Sequence, residues 1–424
     1  MKKSERCYEQ YVKILREELL PAMGCTEPIA VAYAAAKARE CLGAVPERVL
    51  VEASGNIIKN VKSVVVPNTG GLKGIAAAAA AGVAAGDAAA ELQVLASVTP
   101  AQIAAIGEYL EKTPIEVKHA ETPHIFDIAV SVFRGGESAF VRITDFHTNI
   151  VCIRRNGETL LEKKGVGGGE TLTDRSCMSV ESIVDFADSV ELDDVREILQ
   201  RQIAYNMAIA GEGLRNNYGA NIGKTLLKGH ENDIVYKLRA WAAAGSDARM
   251  NGCEMPVVIN SGSGNQGITT SVPVIVYARE TGASEEQLLR ALCVSNLVTI
   301  HLKTGIGRLS AYCGAVSAGA GAASGVAYLQ GGRFEVIAHT IVNTVAVTSG
   351  IVCDGAKASC AAKIAAAVDA GLLGLAMYRS GNEFFGGDGI VKKGVERTIE
   401  IVGKLASRGM VETDKEIIRL MMEN

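Results

Sequence analysis

Small side chains decide what this chain can fold into. Glycine supplies 46 of 424 residues, while aromatics make up 5% with a single Trp. An ordinary domain carries ~7% glycine. Helices built from such residues approach one another closely, or leave room for something that is not a side chain. Six consecutive alanines, residues 76–81, lie in the longest apolar stretch, residues 74–90, which three glycines and Asp87 interrupt. That stretch reads as a buried helix of a globular chain and not as a membrane span. With 48% hydrophobic and 21% charged residues, the chain can bury a large core and is not disordered. Its length has room for about two domains at ~150 residues each. A net charge of −4 gives no basic surface for nucleic acid or for an anionic membrane. The first 20 residues carry charges throughout, with no apolar signal-peptide region, so a cytoplasmic location is expected. Ten cysteines are too few for a disulfide scaffold and point to free, metal-bound or catalytic thiols.

Periodicity predicts an α+β order. Tyr11, Leu15 and Leu19 share one helix face, and Pro21 stops that helix. Thr26, Glu27 and Pro28 open a second helix directly after Cys25, running to about Glu40. Arg48 to Ala53 and Val61 to Val66 read as strands of a hairpin around Gly55 and Asn56. Thr99 and Gln102 form a capping box with Pro100 at the first helical position. Residues 115–153 alternate as an antiparallel sheet with a turn at Gly135 and Gly136. Gly165 to Gly169 marks the expected boundary. Beyond it Ser182 to Ala210 reads as one or two long helices. Ser284 and Gln287 make a second capping box. Val395, Ile399 and Val402 lie on a helix ended by Gly409, and Thr413 caps the last helix. The expected organisation is an N-terminal helix and antiparallel-sheet domain, 1–169, carrying Cys25, then a mostly helical domain, 170–424.

Three cysteines stand in unusually small company. Cys313 opens a run with Gly314, Ser317, Gly319 and Gly321; Cys353 lies between Gly350 and Gly355; Cys360 precedes two alanines. A buried inorganic cluster needs thiolates and neighbours small enough to leave a cavity, and glycine amides can approach its sulfurs. Three thiolates leave one metal open, whereas a closed structural site takes four. The spacing alone leaves the alternative that these cysteines are small hydrophobes in a helical core. Cys25, before a helix start, sits where the helix dipole stabilises a thiolate, which suits a base or a nucleophile; Glu27 works against this. The loop from Asn260 to Gly267 reads as a carboxylate-binding turn or as an ordinary helix start. His301 reads as a helix histidine, Cys293 as core, and Gly386 to Gly389 as a plain connection.

The ordered segments AMGCTEP, NSGSGNQG, GRLSAYCG, GIVCDGAKASC and FGGDGIV resemble the L-cysteine desulfidase family, which is related to the catalytic part of iron–sulfur L-serine dehydratases. The resemblance runs from about Tyr11 to Met421. It implies a [4Fe–4S] cluster held by Cys313, Cys353 and Cys360, with one open iron and no PLP, and it sets Cys25 at the proton-acceptor position. It implies conversion of L-cysteine to hydrogen sulfide, ammonia and pyruvate. PLP normally supplies the electron sink for such an elimination; an open iron could instead polarise the leaving group. Asn265 and Gln266 are expected to hold the substrate carboxylate, with Lys303 and Arg308 as second candidates. L-Serine dehydration and a non-catalytic iron–sulfur or thiol redox sensor remain open alternatives. The expected partner is a small amino acid, with neither nucleic acid nor membrane, and a homodimer is the base-rate expectation. The three ligand thiols should converge on one cavity, with Cys25 facing it.

Overall fold

The computed structural model describes residues 1–3, 5–163, 173–307 and 309–423. In chain order, α1 (Arg6–Glu18) leads through β1 (Pro21–Met23) to α2 (Thr26–Leu42), β2 (Arg48–Ala53), α3 (Gly55–Val61), α4 (Gly74–Ala85) and α5 (Pro100–Lys112). Strands β3 (Ile115–His119), β4 (Asp127–Arg134), β5 (Glu137–Thr144), β6 (Ile150–Arg155) and β7 (Glu158–Glu162) follow. The next elements are α6 (Val180–Ser189), α7 (Arg196–Arg215), α8 (Ile222–Leu227), α9 (Ile234–Met250) and β8 (Pro256–Val258). The chain then runs through α10 (Gly264–Thr281), α11 (Glu285–Ile306), α12 (Gly314–Leu329), α13 (Phe334–Thr348) and α14 (Cys360–Arg379). It ends with α15 (Val395–Lys404) and α16 (Val411–Met422). The α+β class is as expected. The expected boundary at Gly165 to Gly169 lies outside the described residues.

The sheet has the order β3-β2-β4-β5-β6-β7. It is mixed and not purely antiparallel, because β3 joins β2 in parallel, Val49 opposite Ile115, after the crossover through α3, α4 and α5. The expected hairpin does not form. Strand β2 pairs with β3 and β4, while Gly55–Val61, read as a turn and the start of a strand, is a fully buried helix. Its polar residues Asn56 and Lys59 find a partner in Asp414 of α16, at 2.8 and 2.5 Å; tertiary contacts override the β-branched composition. Both capping boxes form, at Thr99 and Ser284. Ser182 to Ala210 divides into α6 and α7 around a single 3-10 turn. After α15 the chain passes through a π-type turn, 405–409, and α16 starts at Val411 with Met410 at its cap, so Thr413 lies inside the helix and does not cap it.

Two apolar cores result. One packs α2 and α4 against β2, β4 and β5. The larger one joins α6, α7 and α9 to α15, and α1 belongs to it: Tyr8 meets Phe186 edge-on and Tyr11 meets it tilted, at 5.4 and 5.0 Å between ring centres. Strand β1 pairs with β8, so the chain crosses into the first core only at Cys25. Helix α12, buried on every side, is the axis of the larger core and packs on α10, α11, α13 and α14, as a helix apolar all round must. Among the described residues one helix, α14, is long and apolar enough to cross a membrane by length and composition; it packs along α9, α12 and α13.

Candidate functional site

The two cores meet at a cavity lined by Cys25, Cys313, Cys353 and Cys360. The space between its lining atoms, counted with its mouth, is about 820 Å³. Local structure explains the convergence. Cys313 is the extended residue before α12, and its amide donates to Ile351 O at 3.1 Å. The amide of Cys353 donates to Ala311 O at 2.6 Å, and Tyr312 pairs with Val352. This short antiparallel bridge sets Cys313 and Cys353 side by side. The chain then turns at Gly355, whose φ of +91° and close approach to Lys59 O leave no room for a side chain. The turn delivers Cys360 to the first position of α14. One turn further, Lys363 donates to Val352 O at 2.8 Å and pairs with Asp354, pinning the Cys353 loop.

The chain thus brings four helix N-termini to one space. Cys25 stands at the N-cap position of α2, the Ser263 side chain caps α10, Cys313 stands at the N-cap position of α12, and Cys360 opens α14. Each start presents amide N–H groups that have no acceptor within the helix, equivalent to roughly half a positive charge. Lys59, Arg249 and Lys303 also line the cavity, and Glu27 is the acidic residue on its wall. The site favours anions: thiolates, a negatively charged cluster, a carboxylate.

Asn265, Gln266 and Lys303, the candidates for holding a carboxylate, line this cavity; Arg308 lies outside the described residues. Arg249, Lys59 and Asn60 carried no motif. Arg249 ends α9 and donates to Asn265 Oδ1 at 3.2 Å. Its Nε, and Gln266 Oε1, are buried without a hydrogen-bond partner among the described residues, so each has capacity left for a ligand. His301 is elsewhere, bonded to Glu396 at 2.7 Å. Gly386 to Gly389 is a turn closed by Asp388 accepting from the Phe385 amide at 2.7 Å.

Burial disfavours the thiolate form of Cys313, Cys360 and Cys25. Burial, then the neighbouring Cys353, pushes Cys313 up to about 12. Burial also raises Cys360. Cys25 departs from the thiolate expectation: burial first and the Glu27 charge next hold it well above the ordinary thiol range, and its Sγ donates to Glu27 Oε2 at 3.1 Å. Among the described residues no three His, Cys, Asp or Glu side chains close to the spacing of a single metal ion. Thiols that each bind a different iron must stand further apart than ligands of one ion. An all-cysteine donor set and an anion-favouring wall fit an iron–sulfur cluster.

The family model of the serine dehydratase alpha chain matches residues 92–419, a segment that holds Cys313, Cys353, Cys360 and the start of α10. The chain belongs to this family, whose chemistry is of the dehydratase, or lyase, type. It is 59% identical over 423 residues to a UPF0597 protein of Desulfitobacterium hafniense (strain Y51), covering 100% of this chain and 98% of the relative. It is 50% identical over 426 residues to a UPF0597 protein of Treponema denticola, covering 98% of each. A UPF0597 protein of Actinobacillus pleuropneumoniae serotype 3 is 38% identical over 428 residues, covering 100% of this chain and 99% of the relative.

Proposed function

We propose that this protein eliminates the β-substituent of a small L-amino acid without PLP, with L-cysteine as substrate and hydrogen sulfide, ammonia and pyruvate as products. The observation that carries this reading is the meeting of four cysteines and four helix starts on one cavity at the junction of the two cores. Cys313, Cys353 and Cys360 would hold a [4Fe–4S] cluster, which when bound supplies an open iron as a Lewis acid for the leaving group. The substrate carboxylate fits the α10 end, between the Arg249 guanidinium and the amides of Asn265 and Gln266. Gln266 Oε1 is an acceptor suited to the substrate ammonium. Cys25 takes the α-proton, and the start of α2 stabilises its thiolate once the thiol proton has left. The resulting aminoacrylate tautomerises to an imine and hydrolyses. Ten free cysteines support a reducing, cytoplasmic setting.

The family description favours a second reading, L-serine dehydration on the same residues with hydroxide as the leaving group. The deciding experiment reconstitutes the protein anaerobically with iron and sulfide and follows pyruvate from equal concentrations of L-cysteine and L-serine. Faster pyruvate from cysteine is expected. Pyruvate from serine alone overturns the cysteine assignment, and no pyruvate from either, with iron bound and a reversible spectral change, leaves the redox sensor.

A further inference from the structure

Glu27 faces two cavities. On one side it lines the cysteine cavity. On the other it lines a second space of about 1200 Å³, counted with its open mouth, whose wall includes His124, Phe126, Asp145 and His147. Among the described residues Glu27, Gly262 and Leu309 form the partition between the two, and Glu27 is the titratable one of these. The carboxylate is bonded from the inner side: Oε2 accepts from the Cys25 thiol at 3.1 Å and from Thr26 Oγ1 at 3.2 Å. Asn60 Nδ2 donates to Oε1 at 3.5 Å. On the outer wall His124 Nδ1 is 3.0 Å from Asp145 Oδ1, with 20% and 37% of these side chains exposed, so this pair reaches solvent. Two loops hold it in place. The His124 amide donates to Thr122 Oγ1 at 3.2 Å, and the Asp145 amide donates to Phe126 O at 3.0 Å.

Resting on the elimination reading above, we propose that Glu27 relays protons for Cys25, and that the His124–Asp145 pair across the second cavity completes their exit to solvent. The thiol proton of Cys25 passes to Glu27, leaving a thiolate and a neutral carboxylic acid. The thiolate takes the substrate α-proton and is a thiol again. Glu27 passes its proton to His124, which releases a proton to solvent, and the carboxylate is restored. One proton leaves Cα and one enters solvent per turnover, with no oxidant or reductant. Glu27 and His124 act through Cys25 and are positioning residues; Cys25 is the group that touches substrate.

The test follows the Cys25 proton itself. The S–H stretch falls in an infrared window free of other protein bands, and Cys25→Ala identifies its contribution. The reconstituted protein is mixed into D₂O and loss of that band is timed in wild type, Glu27→Gln, His124→Ala and His124→Asn. The relay predicts exchange slowed about 10²-fold in Glu27→Gln, and slowed in both His124 variants. Added imidazole should restore His124→Ala and not Glu27→Gln. Pyruvate formation should follow the same order, with iron content unchanged. An unaltered exchange rate in Glu27→Gln overturns the proposal; unaltered exchange in both His124 variants, or no rescue by imidazole, overturns its outer half. If the wild type makes no pyruvate from either amino acid the elimination reading fails, while the exchange rates still decide the relay.

Discussion

The contact between α2 and α4 and the wall of the cysteine cavity use the same residues for opposite ends. A Cβ on Gly82 would lie 2.1 Å from Ala32 O, so the alanine-rich helices touch backbone to backbone and enclose nothing. A Cβ on Gly314 would lie 2.6 Å from Gln266 Cδ, at the end of a side chain that lines an open space. In the first region helices meet along their bodies, where amides and carbonyls are already bonded to one another. In the second they meet at their starts, where amides are still free. Glycine content does not separate a packed seam from a binding site; which part of the helix it brings close does.

The largest effect expected is on turnover. Cys25→Ala should retain iron and lose about 10³-fold or more in kcat, measured anaerobically as pyruvate release; wild-type turnover would remove Cys25 from the chemistry. Next, Asp414→Ala should destabilise the fold by about 3–5 kcal/mol, read from the denaturant midpoint, because it strands Lys59, whose side chain is 1% exposed. A midpoint unchanged in that variant would free the Lys59 corner of the cavity from α16.

Two glycine substitutions sharpen the comparison itself. Gly82→Ala should cost about 1–3 kcal/mol through overpacking, with activity per folded molecule unchanged. Gly314→Ala, which meets a side chain able to move, should cost less stability and raise KM about tenfold or more by displacing Gln266. The same outcome for both would erase the distinction between seam and site. The smallest effect concerns Asp247 on α9, which is 1% exposed and accepts from the Gly223 amide at 2.9 Å. Burial raises its carboxyl to about 6 against the pull of the Gly223 and Ile222 amides. Its contribution to stability is complete below about pH 4, the ordinary carboxyl range, and is lost as pH rises through 6. Asp247→Asn should flatten that part of the stability curve in thermal unfolding scans between pH 4 and 7.

The helix starts were the most legible part of the sequence, because caps, prolines and glycines act locally. Thr26 and Pro28 after Cys25 mark a helix start, but that four thiols share one cavity is an implication of the family resemblance and not of these local signals. Lys59 and Arg249 were not legible. They arrive from α3 and from the end of α9, and no local pattern says which helix end will face which. The turn expected at Gly55 and Asn56 is a helix instead, and Asp414, 355 positions after Lys59 in the chain, bonds that helix through Asn56 and Lys59, a contact no local pattern shows. The parallel placement of β3 depends on a crossover through three helices, beyond the reach of alternation within a strand. The thiolate expected at Cys25 rested on the helix dipole; burial and Glu27 outweigh it.

The central claim is that Cys313, Cys353 and Cys360 hold a cluster while Cys25 does not. Iron and acid-labile sulfide, measured after anaerobic reconstitution of wild type, Cys25→Ala and Cys353→Ala, test it directly. The account predicts bound iron and sulfide in equal amounts in wild type and Cys25→Ala, and their loss in Cys353→Ala. Iron retained by Cys353→Ala, or absent from the wild type, would contradict it.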